Sequence, residues 1–275
     1  MKIRAIKIVA LFDILGIKER MDADGILTDY ERLTSFVDQQ TGCLVIRSVP
    51  AGDRGFYPAV GYLEVQEAYF SDTFILWMDY DAFRLPAFFE MCCDLFCHSL
   101  SLGIPIRGGI GVGDAYMDKE KSIYIGPALI DAAQAESAQL WLGVSCGVTF
   151  NQDEYRGPFD PRTVLAYKEH QNPENKYKIP GLVLDWPRRW RTSRNDDPKK
   201  YLDSLNTDQA FAHYYLNTKR FIDYSEKNHD WFMRNESLAR KGDREKGTDL
   251  FLPNQILQRT GNILGGFRHY LCPRR

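Results

Sequence analysis

A glycine-rich apolar run in the middle of the chain places the strongest constraint on its fold. Residues 104–116 form a β-prone segment that carries glycines at positions 108, 109, 111 and 113. Glycine weakens a strand and is typical of places where another group approaches the backbone closely. We therefore predict a strand here with a ligand pressed against it beside Arg107. A simple ion pair with a surface acid is the alternative role for that arginine.

The apolar patterns around this strand predict an order of elements. Residues 2–12 are predicted to form a buried strand, and Pro86 and Gly103 mark the two ends of a helix. Two β-prone runs separated by Ser71 and Asp72 predict a hairpin. Further elements are a helix at 28–39, the glycine-rich strand, a helix from Gly126 to about 142 and a strand at 145–150. The order indicates an α+β fold, with a ferredoxin-like βαββαβ antiparallel sheet and helices packed on one face.

Two acids lie where predicted strands end or turn. Asp13 ends the first strand and is followed by Gly16, while Asp72 lies at the bend of the hairpin. Each alone is more typical of a turn or cap residue. In a ferredoxin-like sheet the first strand neighbours the hairpin, so the two carboxylates can converge and would repel without a cation between them. Oxygen ligands of this kind suit Mg²⁺ or Mn²⁺ that carries a triphosphate, and two such metals could serve phosphoryl chemistry.

Composition narrows the class of protein. The net charge of −2 argues against a nucleic-acid scaffold, and the 44% hydrophobic content is enough for a core. No stretch reaches the roughly 18 uninterrupted apolar residues that a membrane span needs, and no signal-peptide layout is visible. The six cysteines lack a zinc-site spacing and are read as free thiols. We therefore expect a protein of the cytoplasm that binds neither membrane nor nucleic acid.

The second half of the chain has a different texture. Prolines at 158, 161, 173 and 180 lie among polar residues, and a basic run at 188–200 is interpreted as a solvated face. Residues 208–228 are predicted to form a helix with Tyr214 and Phe221 on its apolar side. We expect a core at 1–150 and an elaboration at 151–275 packed on it.

Four motifs within residues 1–150 resemble the catalytic domain of class III nucleotidyl cyclases. The residues of these motifs, and their place in a short stand-alone chain, are most similar to those of the pyrimidine cyclases of Pycsar anti-phage systems. The motifs are Phe12-Asp13-Ile14-Leu15-Gly16-Ile17, Phe70-Ser71-Asp72-Thr73, Arg107-Gly108-Gly109-Ile110-x-x-Gly113, and Gly126-Pro127-Ala128-Leu129 with Glu136 further along.

The resemblance implies a role for several of these residues. Asp13 and Asp72 match the two metal-binding aspartates, and Ile14 matches a backbone carbonyl ligand. The amides near Gly16 and Ile17 match a turn that cradles phosphates. Arg107, at the start of the third motif, matches an arginine that binds the triphosphate through its planar guanidinium group. Members of the family form head-to-tail dimers with substrate at the interface, so we expect a homodimer.

The chain departs from the purine cyclases of this family at two pairs of positions. Ile130 and Gln134 stand where purine cyclases carry an Asn and an Arg that steady the ribose and the transition state. Gln66 and Ile123 stand at the purine-selecting positions, which favours a smaller base. Tyr69, three residues before Asp72, is a candidate for stacking on or hydrogen-bonding a pyrimidine. An ordinary core aromatic is the equally weighted alternative.

We therefore expect an enzyme that converts UTP or CTP to the 3′,5′-cyclic monophosphate and pyrophosphate, with Mn²⁺ or Mg²⁺ held in a two-metal site. The resemblance implies that the product is a second messenger of anti-phage defence. One alternative is a non-catalytic cyclase-like module that binds nucleotide or only dimerises. Another is an adenylate or guanylate cyclase with an unusual base pocket. The choice between UTP and CTP stays open, with a slight preference for UTP.

Overall fold

A computed structural model describes residues 5–16, 23–42, 44–50, 56–152, 155, 163–205 and 209–228. The first part of the chain contains β1 Ala5–Ile14, α1 Ala23–Gln40, β2 Leu44–Pro50, β3 Phe56–Tyr62, β4 Gln66–Phe70, β5 Thr73–Asp79, α2 Leu85–Ser101, β6 Ile106–Asp118, β7 Ile123–Ile125 and α3 Pro127–Ser137. The later part contains β8 Val144–Cys146, β9 Val164–Ala166, β10 Leu182–Leu184, α4 Trp186–Ser193, α5 Pro198–Leu205 and α6 Ala212–Lys227.

The main sheet has the predicted ferredoxin-like core. Its strand order is β4-β5-β1-β6-β8-β10-β9, with β7 paired to β6. The first four strands in this order are antiparallel and follow the chain order of a βαββαβ unit, in which α1 and α2 are the two helices. Strand β8 then joins β6 in parallel. The α+β prediction is therefore confirmed, and β1 lies at the centre between the hairpin and the glycine-rich strand.

The hairpin around Ser71 and Asp72 is confirmed as well. Strands β4 and β5 pair from Gln66 opposite Trp77 to Phe70 opposite Thr73, which leaves Ser71 and Asp72 as the two turn residues. Ser71 has φ +51°, a left-handed conformation that non-glycine residues adopt at a cost. The turn therefore has a fixed shape that needs support from its surroundings.

Helix α3 ends earlier than predicted. It stops at Ser137 because the next backbone groups bond elsewhere: the Leu140 amide donates to the His170 carbonyl at 2.8 Å, and Gln139 pairs with Gln171. The predicted strand at 145–150 is likewise shorter. The amides of Val148 and Thr149 turn away to donate to the Asp131 carboxylate. Strands β3, β7, β9 and β10 and helices α4 and α5 were not predicted.

The two faces of the sheet are packed differently. Helices α1 and α2 cover one face with a large cluster of buried aromatic and aliphatic side chains. Helix α3 covers the other face through Ala128 and Ala132, which lie against Val9 and Trp77. The two helices of the βαββαβ unit lie on one face as predicted, but α3 covers the other face, so the prediction that all helices pack on one face is wrong.

The glycines of β6 serve the close approach of α3. A Cβ at Gly109 would lie 1.9 Å from the Ala132 carbonyl oxygen, and one at Gly111 would lie 2.3 Å from the Ala128 carbonyl oxygen. The backbone of a helix therefore occupies the space that we had assigned to a ligand. The prediction of a ligand pressed against these two glycines is wrong.

Residues beyond 150 add to the same sheet and core. Strands β9 and β10 extend the sheet past β8. Helix α4 is joined to α2 by Arg189, whose Nε and Nη2 donate to Asp94 at 2.5 and 2.7 Å, and the Trp186 ring lies 4.6 Å from that of Phe96. Among the described residues no helix is long and apolar enough to cross a membrane. A domain division at residue 150 stays a prediction.

Candidate functional site

Asp13 lies at the end of β1, between the hairpin and the glycine-rich strand. In the register of the sheet it stands opposite Thr73 on one side and Arg107 on the other. The neighbouring Ile14 amide donates to the Asp72 carbonyl at 2.9 Å. Because a strand residue directs its amide and carbonyl to the same edge, the Ile14 carbonyl lies on the side of Asp72. The structure thus places Asp13, Ile14, Asp72 and Arg107 at one end of the sheet.

Gly16 closes this end of β1 with a sharp turn. Its φ is +70°, in the left-handed region that glycine adopts without a steric penalty. The Leu15 amide donates to the Pro105 carbonyl at 2.8 Å, which fixes the chain just before the turn. The turn predicted after Asp13 is therefore present. Ile17, assigned to the same phosphate-cradling turn, lies outside the described residues.

Asp13 interacts with charged neighbours of both signs. Burial raises the pKa of Asp13, the Arg107 charge lowers it, and the Asp72 charge raises it. The backbone also brings the two acids together, because the Ile14 amide, next to Asp13, donates to the Asp72 carbonyl. Both acids are partly buried, and Arg107 lies beside Asp13.

Tyr30, on α1, supports the turn that carries Asp72. Its hydroxyl donates to the Ser71 carbonyl, next to the strained φ of that residue. Burial raises the pKa of Tyr30 to about 12, and the charges of Asp72 and Asp13 act in the same direction. The neutral Tyr30 side chain, on α1, therefore stabilises the turn through its hydrogen bond to the Ser71 carbonyl.

Arg107 is enclosed by three side chains. Its Nε forms an ion pair with Glu136 at the end of α3, and its Nη2 lies 3.7 Å from Asp13 Oδ2. Its Nη1 donates to the Tyr214 hydroxyl at 3.1 Å, and the guanidinium carbon lies 5.6 Å from the centre of the Tyr214 ring. The predicted alternative of an ion pair is therefore observed, but its partner is a buried acid.

Glu136 has an unusual protonation equilibrium for a carboxyl group. Burial raises its pKa to about 7, Arg107 opposes the shift, and the charges of Asp13 and Asp72 add to it. The Glu136 carboxyl group therefore binds its proton more tightly than that of an exposed glutamate.

No role was predicted from the sequence for Glu136 or Tyr214. Glu136 belongs to a recognised motif but was given no chemistry, and its spacing from Arg107 offers no clue to their contact. Tyr214 was placed only on the apolar side of a helix. It lies 107 positions from Arg107 along the chain, so the fold alone brings the two together.

The donor set at the end of β1 fits a hard divalent cation. Asp13, Asp72 and the Ile14 carbonyl offer oxygen atoms, which Mg²⁺ and Mn²⁺ prefer. A cation would also relieve the repulsion that contributes to the raised pKa of Asp13. No cluster of three or more His, Cys, Asp or Glu suited to a metal occurs in the described part of the chain. Water and phosphate oxygens would add further ligands of the same kind.

Tyr69 lies mostly inside the protein. Its ring makes an edge contact with Tyr30 at 6.3 Å and a tilted contact with Phe74 at 6.2 Å. Burial, followed by the charges of Glu67 and Asp38, raises the pKa of its hydroxyl. These contacts are typical of a core aromatic, and contact with a base stays a prediction.

The positions that depart from purine cyclases face outward. Ile130 is 58% exposed and Ile123 40% exposed, and Gln66 and Gln134 are also exposed. None of the four lies among the side chains around Arg107.

Comparisons with known proteins give limited similarity. No family model matches the chain, and no curated protein matches it. Among solved structures, the chain is similar to the catalytic core of a rhodopsin-guanylyl cyclase with converted specificity, in complex with ATPαS. The identity is 12%, the match covers 66% of this chain and 95% of the other, and the TM-score is 0.41. It is also similar to an adenylate/guanylate cyclase/hydrolase from Silicibacter pomeroyi, with 12% identity, 66% and 96% coverage and a TM-score of 0.35.

Proposed function

We propose that this chain is a nucleotidyl cyclase that acts on a pyrimidine nucleoside triphosphate. The observation that carries the proposal is the convergence of Asp13, Asp72 and Arg107 at one end of the sheet. Two carboxylates beside an arginine form a site in which a cation and a polyphosphate can be held together. The four motifs that resemble class III cyclases supply these same residues.

The reaction would be an internal displacement at phosphorus. The ribose 3′-oxygen forms a bond to the α-phosphorus, the bond to the β-phosphate oxygen breaks, and pyrophosphate leaves. The hydroxyl proton passes to water. Arg107 would direct Nη2 toward the phosphate oxygens, where a fixed positive charge stabilises the negative charge that develops on the leaving group.

Asp13, Asp72 and the Ile14 carbonyl would hold Mn²⁺ or Mg²⁺. A two-metal site supplies a lowered pKa for the attacking hydroxyl and neutralises charge on the departing pyrophosphate. The chain contributes the fixed positions of its oxygen atoms. The β1 strand fixes Asp13, and the supported turn at Ser71 fixes Asp72.

The choice of base rests on the departures from purine cyclases. Gln66 and Ile123 stand at the positions that select purines in the family that the chain resembles, and UTP or CTP is the substrate class that they favour. We further propose a homodimer of the cytoplasm whose product signals in anti-phage defence. An interface between copies is supported by four exposed apolar side chains, two of them at positions that depart from purine cyclases: Phe70, Ile123, Ile125 and Ile130.

A four-nucleotide assay tests the proposal. Purified protein is incubated with Mn²⁺ and each of UTP, CTP, ATP and GTP, and the products are separated by mass. We expect a cyclic monophosphate from UTP or CTP and loss of at least a hundred-fold in rate for Asp72→Ala, in line with removal of a metal ligand. Product from ATP or GTP alone would overturn the base assignment, and undiminished activity of Asp72→Ala would overturn the metal assignment.

A second candidate is a cyclase-like module that binds nucleotide without turnover. It is favoured by the ion pair between Arg107 and Glu136, which occupies the arginine, and by the absence of an Asn and Arg pair at Ile130 and Gln134. Calorimetry decides between the two. Micromolar binding of UTP or CTP with no cyclic product over hours would support the binding module.

A further inference from the structure

The last helix of the described chain is fixed against the loop between α3 and β8. On α6, the Asn217 side chain donates to the Leu140 carbonyl at 2.7 Å, and Thr218 Oγ1 accepts the Leu142 amide at 2.8 Å. The Phe221 ring meets the buried Trp141 ring edge-on, with centroids 4.4 Å apart. These three contacts, made from two successive turns of α6, determine where this helix lies relative to the core.

Tyr214 lies one turn before these anchors. Its carbonyl accepts a hydrogen bond from Thr218 Oγ1 at 2.7 Å, which ties the backbone of Tyr214 to the anchored turn. From this position its hydroxyl reaches Arg107 Nη1 at 3.1 Å, with the ring 5.6 Å from the guanidinium carbon. The contact therefore follows from the position of a rigid helix.

The three nitrogens of the Arg107 guanidinium have different neighbours. Nε forms an ion pair with Glu136, and Nη1 donates to Tyr214. Nη2 faces Asp13, with 3.7 Å between Nη2 and Asp13 Oδ2. Tyr214 is a neutral acceptor, so it orients the guanidinium without cancelling its charge. A guanidinium held at two nitrogens can direct the third to one place, because the group is planar.

We propose that Tyr214 is a positioning residue that fixes the direction of Arg107, so that the segment after residue 205 completes a phosphate-binding site formed by the first half of the chain. The inference rests on the proposed function for its ligand, a nucleoside triphosphate. It rests on the observed contacts for its geometry. It also gives the C-terminal part of the chain a role in the chemistry.

Rotation of the guanidinium tests the geometry without any ligand. Nuclear magnetic resonance of ¹⁵N-labelled arginine measures rotation about the Nε–Cζ bond of Arg107, which is slow when an Nη is held. We expect Tyr214→Phe, which keeps the ring and removes the acceptor, to speed this rotation about five-fold, the effect of one neutral hydrogen bond. Tyr201→Phe is the matched control, since the hydroxyl of Tyr201, on α5, donates to Asp196 and Tyr201 is not one of the side chains that contact Arg107. Equal rotation rates in wild type and Tyr214→Phe would overturn the inference.

Enzyme kinetics tests the consequence for substrate. We expect Tyr214→Phe to raise KM for the pyrimidine triphosphate about five-fold, because Arg107 already contacts the phosphates of the bound substrate. We expect a smaller fall in kcat, because the charge that develops on the leaving group adds to a contact that is already made. Tyr214→Leu, which also removes the ring, should raise KM further. An unchanged KM in both variants would overturn the inference.

The two experiments separate the failure of this inference from failure of the proposed function. If the wild-type chain forms no cyclic product, the proposed function fails, and the rotation rate of Arg107 still decides the role of Tyr214. If wild type is active and rotation is unchanged in Tyr214→Phe, Tyr214 has no positioning role and the cyclase proposal stands.

Discussion

The two faces of the central sheet are packed with side chains of different size. On the face covered by α2, large side chains such as Phe88, Phe89 and Phe96 are fully buried. On the face covered by α3, alanines meet a strand whose Gly109 and Gly111 leave no space for a side chain. The first face is a thick hydrophobic layer, and the second is a close contact between backbones.

The difference explains where the site lies. Side chains alternate along a strand, and Val9 and Leu11 of β1 pack on the α3 face, so Asp13 lies on that face as well. Because α3 lies so near the sheet, Glu136 in its last turn reaches Arg107. The thick face supplies stability, while the thin face brings a helix close enough for its carboxylate to touch a strand arginine.

Removing volume from the thick face should have the largest effect on stability. Phe88→Ala leaves a cavity among fully buried neighbours and should lower the free energy of unfolding by about 3–5 kcal/mol. Denaturant titration measures the change. Leu27→Ala, at a side chain that is 60% exposed on α1, should stay within about 0.5 kcal/mol of wild type. A loss below about 1 kcal/mol for Phe88→Ala would contradict a tightly packed layer.

Adding volume to the thin face should come next. Gly109→Ala places a methyl group 1.9 Å from the Ala132 carbonyl and 2.6 Å from the Glu136 amide, so α3 must move. We expect a loss of about 3 kcal/mol in denaturant titration, at the upper end for overpacking, because the obstacle is backbone. Gly61→Ala is the control, since its methyl would only touch Phe83 at 3.4 Å. Equal stability of the two variants would show that α3 does not lie so close.

The raised pKa of Glu136 predicts a pH dependence of stability. A carboxyl group that binds its proton more tightly when folded gives stability that falls as pH rises from about 4.5 to about 7 and then levels off. Glu136→Gln should remove about 1–3 kcal/mol of this fall and keep a hydrogen-bond acceptor for Arg107. Denaturant titrations at pH 5, 6, 7 and 8 measure it.

In Glu136→Gln the free energy of unfolding should still fall as pH rises, but less steeply, because the pKa of Asp13 is also raised. An identical pH profile for wild type and Glu136→Gln would contradict the burial of a shifted carboxyl group beside Arg107.

The support of the hairpin turn should give the smallest effect. Tyr30→Phe removes the hydroxyl that donates to the Ser71 carbonyl and keeps the ring against Tyr69. We expect a loss of about 1 kcal/mol in unfolding free energy and weaker Mn²⁺ binding, which electron paramagnetic resonance measures. Tyr201→Phe again serves as control, and wild-type values for both quantities in Tyr30→Phe would remove Tyr30 from the account.

Local patterns predicted the parts of the molecule that are close in sequence. The apolar run before Asp13, the Ser71-Asp72 bend and the Pro86 and Gly103 limits of α2 each depend on backbone preferences of a few residues, and the structure has them. The glycines of β6 correctly indicated a close approach, but a helix backbone and a ligand leave the same signature in a sequence. The approaching group was therefore misassigned.

Contacts across long stretches of chain were beyond sequence reasoning. Arg107 meets Glu136 because alanines let α3 approach the sheet, and it meets Tyr214 because α6 is anchored at Leu140 and Leu142. Neither contact has a local pattern. The end of α3 was also misplaced, since the backbone after Ser137 finds partners at residues 170 and 171.

The stoichiometry of the reaction with a pyrimidine triphosphate tests the central claim most directly. Wild type and Asp13→Asn are each incubated with Mn²⁺ and UTP or CTP, and nucleotide products, pyrophosphate and orthophosphate are quantified together. The proposed site predicts equal amounts of cyclic pyrimidine monophosphate and pyrophosphate from wild type, and neither from Asp13→Asn. Nucleoside diphosphate with orthophosphate from wild type, or equal cyclic product from both proteins, would contradict it.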